Sequence, residues 1–482
     1  MGFFSVIKYQ VSSVKYVLAY YLLLVNCCIL FISCNSNPSK EDSGHSQILK
    51  SSNRQIEYAS TIAPIIFKNC SPCHRPNQAG PFNLLTYADA KRNANKIKFV
   101  TQTHYMPPWP ADPTYTHFID ERILSAQEIE QIKTWVDSGC PAGDTTKVTP
   151  PVFYDGSFFG KPDVVVKMRE AVPIKGNGTD HFYMIKFPYE LKHDTFARFF
   201  EFVPHQRKLA HHVNGHLINY DYDKKKNVFA GKSYYKDIQG GFNDVYKLMG
   251  ILNDDGTYPI LTPNTVYYLP GYTPVVYPEN MGGYALNKKG AFFLKNMHYG
   301  PSAQDCVDSS TINIFYGPKI VRPIQETQIG TFGIAPCEPA LNIPANTIQT
   351  FRSRWTTPSD LSLLSVNPHM HLLGVTFWAY ALSPRGDTIR LIKINKWDFK
   401  WQYYYTFKHP LKIPAGSTIY AFGTYDNTDK NPYNPFHPPR DCKERNDFMS
   451  MGTTEEMFQF IFTYLRYKTG DEQIDLERRK HF

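Results

Sequence analysis

The apolar positions of this chain recur with two different periods along its length. Residues 125–138 carry an apolar stripe at helical spacing, and Ser125 with Glu128 forms a capping box at its start. Beyond residue 150, apolar and polar residues alternate with a period of two, as in 311–316 and 417–422. The pattern predicts a small helical segment followed by a much larger β-rich body.

The same pattern predicts where the domains divide. Two further helices are predicted over residues 58–68 and 87–103, which places a small all-α domain at residues 55–147. A linker without periodicity follows over residues 141–151. Short strands separated by turns then predict two β-sandwiches in tandem, at residues 150–325 and 326–475. One hairpin is predicted from residues 376–382 and 388–394.

Composition indicates a folded chain of several domains. The 482 residues include 33 Tyr, 33 Phe and 36 Pro, and only 20% are charged, which excludes an intrinsically disordered protein. The formal net charge is +9, but Lys and Arg form no run of five or more. We therefore expect no nucleic-acid partner.

The N-terminus has the pattern of an export signal. Lys8 and Lys15 precede an apolar stretch that is short for a membrane span and ends just before Cys34, as in a bacterial lipobox. We predict a lipoprotein signal peptide over residues 1–33, lipidation of Cys34, and a flexible tether over residues 34–54. An uncleaved N-terminal anchor is the alternative. The protein is then expected to be exported and attached to a bacterial membrane, in the periplasm or at the outer membrane or cell surface.

Cys70, Cys73 and His74 form a C-x-x-C-H motif. In this motif two thiols bind the haem vinyl groups, and the following His is an axial ligand of the iron. A zinc site would need a second Cys pair nearby, and the flanking helices fit a small cytochrome. We predict one covalently attached haem c. Met106, in a Pro-fixed loop, is the expected second axial ligand, and His104 is the alternative.

Four further cysteines would face an oxidising compartment after export: Cys140, Cys306, Cys337 and Cys442. Four cysteines permit three complete pairings, and the pairing stays open. We expect at least one disulfide among the last three.

Histidines cluster in three places in the β-rich body, at residues 211–216, 296–300 and 368–374. His369 and His371 are two positions apart, so on a strand both side chains leave the same face and can hold one ion. Met457 can add a thioether, a donor that favours Cu(I).

The first two clusters are expected to form a second ion site that includes His298. Neighbouring residues on a regular strand point to opposite faces, so His211 and His212 share an ion only at a strand end or bulge. His212 and His216 share a face and are the geometric alternative.

Five segments, in order over residues 180–467, resemble the ascorbate-dependent type II copper monooxygenases, a family that includes peptide-amidating and dopamine-hydroxylating enzymes. They are Phe-Val-Pro at 202–204 followed by the His pair at 211–212, Met-His-Tyr-Gly at 297–300, His-Met-His-Leu-Leu-Gly at 369–374, Tyr-Asp-Asn-Thr at 425–428, and Gly-Thr-Thr-Glu-Glu-Met at 452–457. The resemblance implies a mainly β protein with two tandem jelly-roll β-sandwich domains, preceded here by the small all-α cytochrome c-like domain.

The resemblance also implies two copper ions with different roles. One set of residues would hold an electron-storing copper: His211, His212 and His298. The other set would hold the copper at which O2 reacts and hydrogen leaves the substrate: His369, His371 and Met457. The implied reaction is hydroxylation of an unactivated C–H bond, with two electrons, O2, and water as co-product.

Two departures from the family bear on the substrate. The peptide-amidating relatives have an Arg two positions before the H-x-H pair, where this chain has Asn367. They also have a substrate-side Tyr four residues after the copper Met, where this chain has Ile461. We therefore expect a small-molecule or peptide-like substrate that is less polar than a peptide ending in glycine.

The haem segment is a further departure, since the animal enzymes take electrons from ascorbate. A cytochrome on the same chain would pass electrons to copper at high effective concentration. The external reductant would be ascorbate or a cytochrome or quinol chain. The alternative function is a non-catalytic lipoprotein on the same fold, which binds copper and haem for electron transfer or binds a partner.

Overall fold

Antiparallel β-strands dominate the computed structural model, which describes residues 55–477 except 154–156, 222, 237–241, 279–280, 320–321 and 446–454. The prediction of a mainly β fold is thereby confirmed. The described residues from Ile56 onward belong to one compact unit. The predicted signal peptide, the tether and Cys34 lie outside the described residues. Within the described part of the chain, the helices are too short or too polar to span a membrane.

Four short helices precede the first strand: α1 (Ala63–Asn69, preceded by a π-helical turn Tyr58–Ile62), α2 (Tyr87–Arg92), α3 (Ala94–Gln102) and α4 (Ala126–Asp137). The predicted capping box is present, because Ser125 Oγ accepts from Glu128 N–H and Glu128 bonds the Ser125 N–H in return. Buried Trp135 of α4 packs against Tyr58.

The single helix predicted over residues 87–103 is divided into α2 and α3. Asn93 leaves the helical conformation, with φ −106° and ψ 11°. Its side-chain amide donates to the Asp89 carbonyl at 2.9 Å. Asparagine favours such local bonds over continuation of a helix, which explains the break.

Residues 164–316 form the first sheet pair. Its strands are β1 (Val164–Lys167), β2 (Val172–Ile174), β3 (His181–Glu190), β4 (Thr195–Val203), β5 (Ala210–Asn219), β6 (Tyr234–Lys236), β7 (Leu261–Tyr268), β8 (Tyr284–Leu286), β9 (Lys289–Tyr299), β10 (Cys306–Asp308) and β11 (Thr311–Tyr316), with the helix α5 (Phe242–Leu248) inserted. The sheets run β1-β11-β4-β8 and β6-β3-β9-β5-β7, and β10 pairs with β2. Apolar side chains of the two larger sheets share one core.

Residues 325–466 form the second sheet pair. Its strands are β12 (Gln325–Gly330), β13 (Asn342–Ile343), β14 (Ile348–Thr356), β15 (Leu361–Met370), β16 (Gly374–Leu382), β17 (Thr388–Ile394), β18 (Tyr405–Ile413), β19 (Thr418–Asp426), β20 (Cys442–Lys443) and β21 (Phe458–Arg466). The sheets run β12-β21-β15-β18 and β14-β19-β16-β17, and they also share one core. The predicted hairpin is formed by β16 and β17.

The segment between α3 and α4 lies along the second sheet pair. Ile119 N–H donates to the Thr406 carbonyl at 2.9 Å, and Asp112 N–H donates to the Lys393 carbonyl at 2.8 Å. These bonds continue the edges of β18 and β17. The segment between α3 and α4 is therefore held against β18 and β17, which pair with β15 and β16, the strands on either side of the third histidine cluster.

The cysteine pairing differs from the expectation. Cys140, Cys306 and Cys337 are free thiols in this structure. Cys306 lies in β10 of the first sheet pair, whereas buried Cys337 and Cys442 belong to the core of the second. The two sheet pairs thus separate Cys306 from the other candidates, and Cys337 and Cys442 pack as apolar side chains.

Candidate metal and haem sites

The first histidine set converges on one point of the five-stranded sheet. His212 of β5 pairs directly with His298 of β9, and the register shifts between Ala210 and His212. This bulge places His211 beside the pair instead of on the opposite face. The Nδ1 atom of His212 lies 3.3 Å from that of His211 and 3.4 Å from that of His298. One ligand atom from each residue lies within 4.8 Å of the others.

His216, the geometric alternative, does not join this set. Its Nδ1 contacts the Thr262 carbonyl at 2.8 Å, in the direction of β7. The pairing of β5 with β7 has two register shifts, and both are next to His216. The surroundings of His216 therefore differ from those of His212. The structure therefore groups His211 with His212 and leaves His216 in a structural hydrogen bond.

Neighbouring side chains orient the imidazoles of this set. His298 Nε2 lies 2.7 Å from Asp180 Oδ1, and the Phe182 ring stacks on His298 at 4.3 Å. Asn296 Nδ2 lies 3.0 Å from His212 Nε2, while the buried Asn296 Oδ1 has no hydrogen-bond partner. A half-turn of this amide lets Oδ1 accept from His212 Nε2–H, which leaves the Nδ1 lone pair for an ion.

The environment keeps the imidazoles of His211 and His212 neutral. Burial, reinforced by the nearby His298, lowers the pKa of His211 to about 4. Burial lowers the pKa of His212 well below its usual range. A neutral imidazole offers a lone pair to a metal, whereas a protonated one repels it. The set is therefore ready to bind a cation at neutral pH.

The second set lies where β15 ends beside the start of β21. Met370 pairs with Phe458, so the next positions outward place His371 beside Met457. The rings of His369 and His371 are 5.2 Å apart and nearly perpendicular. Met457 is 7% exposed, so its thioether is buried at the same end of the sheet. The register thus brings all three predicted ligands of this set to one end of two paired strands.

Each histidine of the second set donates its Nδ1–H to an oxygen. His369 bonds the side-chain oxygen of Gln402, and His371 bonds the Glu455 carbonyl at 2.6 Å. Both Nε2 atoms are thereby left as potential metal ligands. Burial lowers the pKa of His369 to about 4 and that of His371 to about 3, so both rings are neutral.

Glu456 fixes the backbone around this set. Its two oxygens accept from the N–H groups of His371 at 2.9 Å and Leu373 at 2.7 Å. Tyr425 donates its hydroxyl to the Met457 carbonyl at 2.6 Å. The Tyr-Asp-Asn-Thr and Gly-Thr-Thr-Glu-Glu-Met segments therefore hold the strand ends that carry the ligands.

The C-x-x-C-H motif begins where α1 ends. Cys73 and His74 both donate their N–H to the Cys70 carbonyl, at 3.1 and 2.9 Å, which forms a tight turn. Cys70 and Cys73 are half-buried and unpaired. His74 Nδ1 lies 3.1 Å from the Phe82 carbonyl, and this contact leaves Nε2 for an iron atom.

A cleft beside this motif separates it from the first sheet pair. It encloses about 850 Å³, part of it open to solvent, and its walls are mainly aromatic and basic. Its lining includes Pro72, Arg75, Phe202, Arg207 and Tyr268. Apolar rings suit a porphyrin face and two arginines suit its carboxylates, so the residues present fit a haem attached at Cys70 and Cys73.

The predicted second axial ligand has a defined place but no described contact with His74. Met106 is half-buried in the loop after α3 and donates its N–H to the Val100 carbonyl at 3.0 Å. His104, the alternative, is exposed with a φ of 53°. Met106 as an iron ligand stays a prediction.

Sequence reasoning missed several residues that orient the ligands. Asp180 and Gln402 contact His298 and His369 across 118 and 33 residues, and Glu455 contacts His371 through its carbonyl. A carbonyl carries no residue-specific signal. The aromatic run Trp401-Gln402-Tyr403-Tyr404-Tyr405 was visible in the sequence, but nothing in its pattern linked it to a histidine.

Comparisons with known proteins name no family for this chain. No family model matches it, and no curated protein matches it. Matching solved structures include one of infectious bursal disease virus Gx strain, with 9% identity over 64% of this chain and 78% of that chain and a TM-score of 0.15. Another is a structure of PNGF-II, with 9% identity over 66% of this chain and 65% of that chain and a TM-score of 0.18. Such low scores carry no inference about fold or function.

Proposed function

We propose that this protein is an exported copper monooxygenase that hydroxylates a C–H bond with O2 and receives electrons through a c-type haem on the same chain. The observation that carries the proposal is the bulge at His211, which joins three imidazoles at one point. The spatially separate His369, His371 and Met457 set supplies the second half of a two-copper arrangement.

The thioether donor of the second set favours copper over other common metals. Neither set offers a carboxylate ligand, as Mg²⁺ or Ca²⁺ would need, and neither has four thiolate or imidazole ligands, as a closed zinc site would need. Imidazole with thioether suits copper in both oxidation states. Copper bound there would supply one-electron redox chemistry and O2 activation.

The chain's own residues then have separate tasks. Asp180 and Asn296 orient imidazoles in the first set, and Gln402 does so in the second. Cys70, Cys73 and His74 would hold the haem. The proposal also includes the jelly-roll form of both sheet pairs, the cytochrome c-like nature of the helical domain, and a lipid anchor at Cys34. Mass spectrometry of the membrane-extracted protein tests the anchor.

Turnover measurements test the proposed activity. The purified mature chain, loaded with copper and haem, is supplied with O2, reductant and a panel of apolar small molecules and peptides. We expect substrate-dependent O2 uptake that is lost in His369→Ala and retained in His216→Ala. A fully loaded protein without turnover on any substrate would instead support the non-catalytic electron-transfer function.

A further inference from the structure

One short segment contacts both histidine sets and packs against the loop that follows α3. It comprises Trp401, Gln402 and Tyr403, between β17 and β18. The Trp401 ring lies 6.3 Å from the ring of His211, in the first histidine set. Gln402 bonds His369, in the second set. The backbone carbonyl of Gln402 accepts from the Tyr267 hydroxyl at 2.8 Å, so the segment is fixed against the first sheet pair.

Tyr403 extends this segment toward the haem motif. Its ring stacks on Trp401 with a centroid distance of 6.2 Å and an angle of 12°. Its hydroxyl donates to the Pro108 carbonyl at 3.0 Å, and Trp109 packs on its ring at 5.3 Å. The ring is thus held in place on the side that faces the helical domain.

Arg122 connects the surroundings of Tyr403 to Cys73. Its Nη1 atom lies 3.8 Å from Cys73 Sγ, and its Nη2 atom bonds the Gly271 carbonyl. Arg122, Tyr403 and Trp109 line one small cavity. Burial raises the pKa of the Tyr403 phenol well above its ordinary value.

Electron tunnelling weakens steeply with every gap between orbitals. A route through packed aromatic rings therefore outcompetes a route of equal length through loosely packed groups. From Cys73 the route passes Arg122, which lines one cavity with Tyr403, and then follows the stacked rings of Tyr403 and Trp401 to His211. Tyr403 is 5% exposed, so this part of the route is shielded from water.

We propose that Trp401 and Tyr403 form the internal electron route from the haem at Cys70 and Cys73 to the copper at His211, His212 and His298. This inference rests on the proposed function. Each transfer moves one electron: haem iron is oxidised from ferrous to ferric, and one copper is reduced from cupric to cuprous. No bond forms or breaks. An external one-electron donor, ascorbate or a cytochrome, reduces the ferric haem again after each transfer, so two transfers supply the two electrons that hydroxylation needs.

The experiment compares two tryptophans of the second sheet pair. Trp401→Leu interrupts the route. Trp378→Leu makes the same change at a side chain that is 40% exposed. The described contacts of Trp378 are with Tyr380, Phe422 and Tyr115, outside both histidine sets. Tyr403→Phe keeps the ring and removes the hydroxyl. Copper and haem content are measured first, and reduced haem is then followed by anaerobic stopped-flow absorbance in the copper(II)-loaded protein.

We expect haem reoxidation to slow by an order of magnitude or more in Trp401→Leu, and to keep its rate in Trp378→Leu and Tyr403→Phe. A second readout uses haem-loaded, copper-free protein titrated with Cu²⁺. We expect Cu²⁺ binding to quench mainly the fluorescence of Trp401. The quenching should therefore disappear in Trp401→Leu, while Cu²⁺ binding itself persists.

The outcomes separate this route from the proposed function. Equal haem reoxidation rates in Trp401→Leu and Trp378→Leu would overturn the route while leaving the copper and haem sites intact. A fully loaded wild-type protein whose haem stays reduced beside oxidised copper would overturn internal transfer as such. Failure of the wild-type protein to bind copper at all would overturn the proposed function, and the route with it.

Discussion

His212 of β5 and His298 of β9 are direct cross-strand partners, with Nδ1 atoms 3.4 Å apart. Because the two residues are paired across neighbouring strands, the sheet fixes the distance between them, and no loop is involved. The bulge beside them adds His211. A rigid sheet therefore supplies three imidazoles at one point, which is the arrangement that an electron-storing copper needs to change oxidation state without moving its ligands.

Loss of His298 is expected to remove one copper per chain. His298→Ala takes away one of three ligands and leaves the second set untouched, so metal analysis should show half of the wild-type copper. His216→Ala is the control, because His216 is a histidine on the same strand that bonds Thr262 instead. Equal copper loss in the two variants would contradict the grouping of the first set.

Replacement of Met457 is expected to weaken Cu(I) binding more than Cu(II) binding at the second set. Met457→Ile removes a thioether, which is a soft donor, and keeps the buried volume. Competition with a Cu(I)-selective chelator measures the effect. Met370→Leu is the matched control, since buried Met370 faces Gly374 and Gly423 on the other side of β15. An unchanged Cu(I) affinity in Met457→Ile would exclude the sulfur as a ligand.

Covalent haem attachment is expected to depend on Cys73 and not on Cys140. In Cys73→Ala one thioether bond cannot form, so less haem should stay on the chain in a denaturing gel stained for peroxidase activity. Cys140→Ser should keep the haem, because Cys140 lies beyond α4 and its carbonyl accepts from Tyr87. Loss of haem in both variants would point to misfolding of the helical domain.

Glu326 is expected to make stability fall as pH rises. Burial raises its pKa to about 7 from an ordinary value of 4.5, and its Oε2 atom has no hydrogen-bond partner. Between these values the folded chain keeps a proton that the unfolded chain releases, so the free energy of unfolding decreases with rising pH. Urea unfolding at several pH values across this range gives the free energy of unfolding as a function of pH. We expect this free energy to fall less steeply with pH in Glu326→Gln than in the wild-type protein. An identical pH dependence in the two proteins would show that Glu326 is ionised in the folded state.

The alternation of apolar residues predicted the strands because that pattern is local. The period of two predicted that His369 and His371 leave the same face, and their rings lie 5.2 Å apart where β15 ends. The same rule placed His211 and His212 on opposite faces, and it left the choice open because a bulge depends on pairing with β9 and not on the local sequence. Asn93 likewise divides a helix, because its side chain donates to the Asp89 carbonyl. The pattern of apolar residues carries no information about such a bond.

The contacts that orient the ligands were beyond sequence reasoning. Asp180 and Gln402 reach their histidines only after distant strands pair, and neither residue lies in a motif. The position of Cys337 and Cys442 also follows from tertiary packing, since both side chains enter an apolar core. Motifs therefore identified the ligand candidates, while their partners became visible only in the fold.

The central claim is that this chain holds two distinct copper sites and a haem. Metal analysis combined with copper X-ray absorption on the purified, reduced chain tests it most directly. The account predicts two coppers and one haem per chain, with a sulfur ligand on one copper that disappears in Met457→Ile. A single copper per chain, or two coppers that both lack sulfur while the haem is intact, would contradict it.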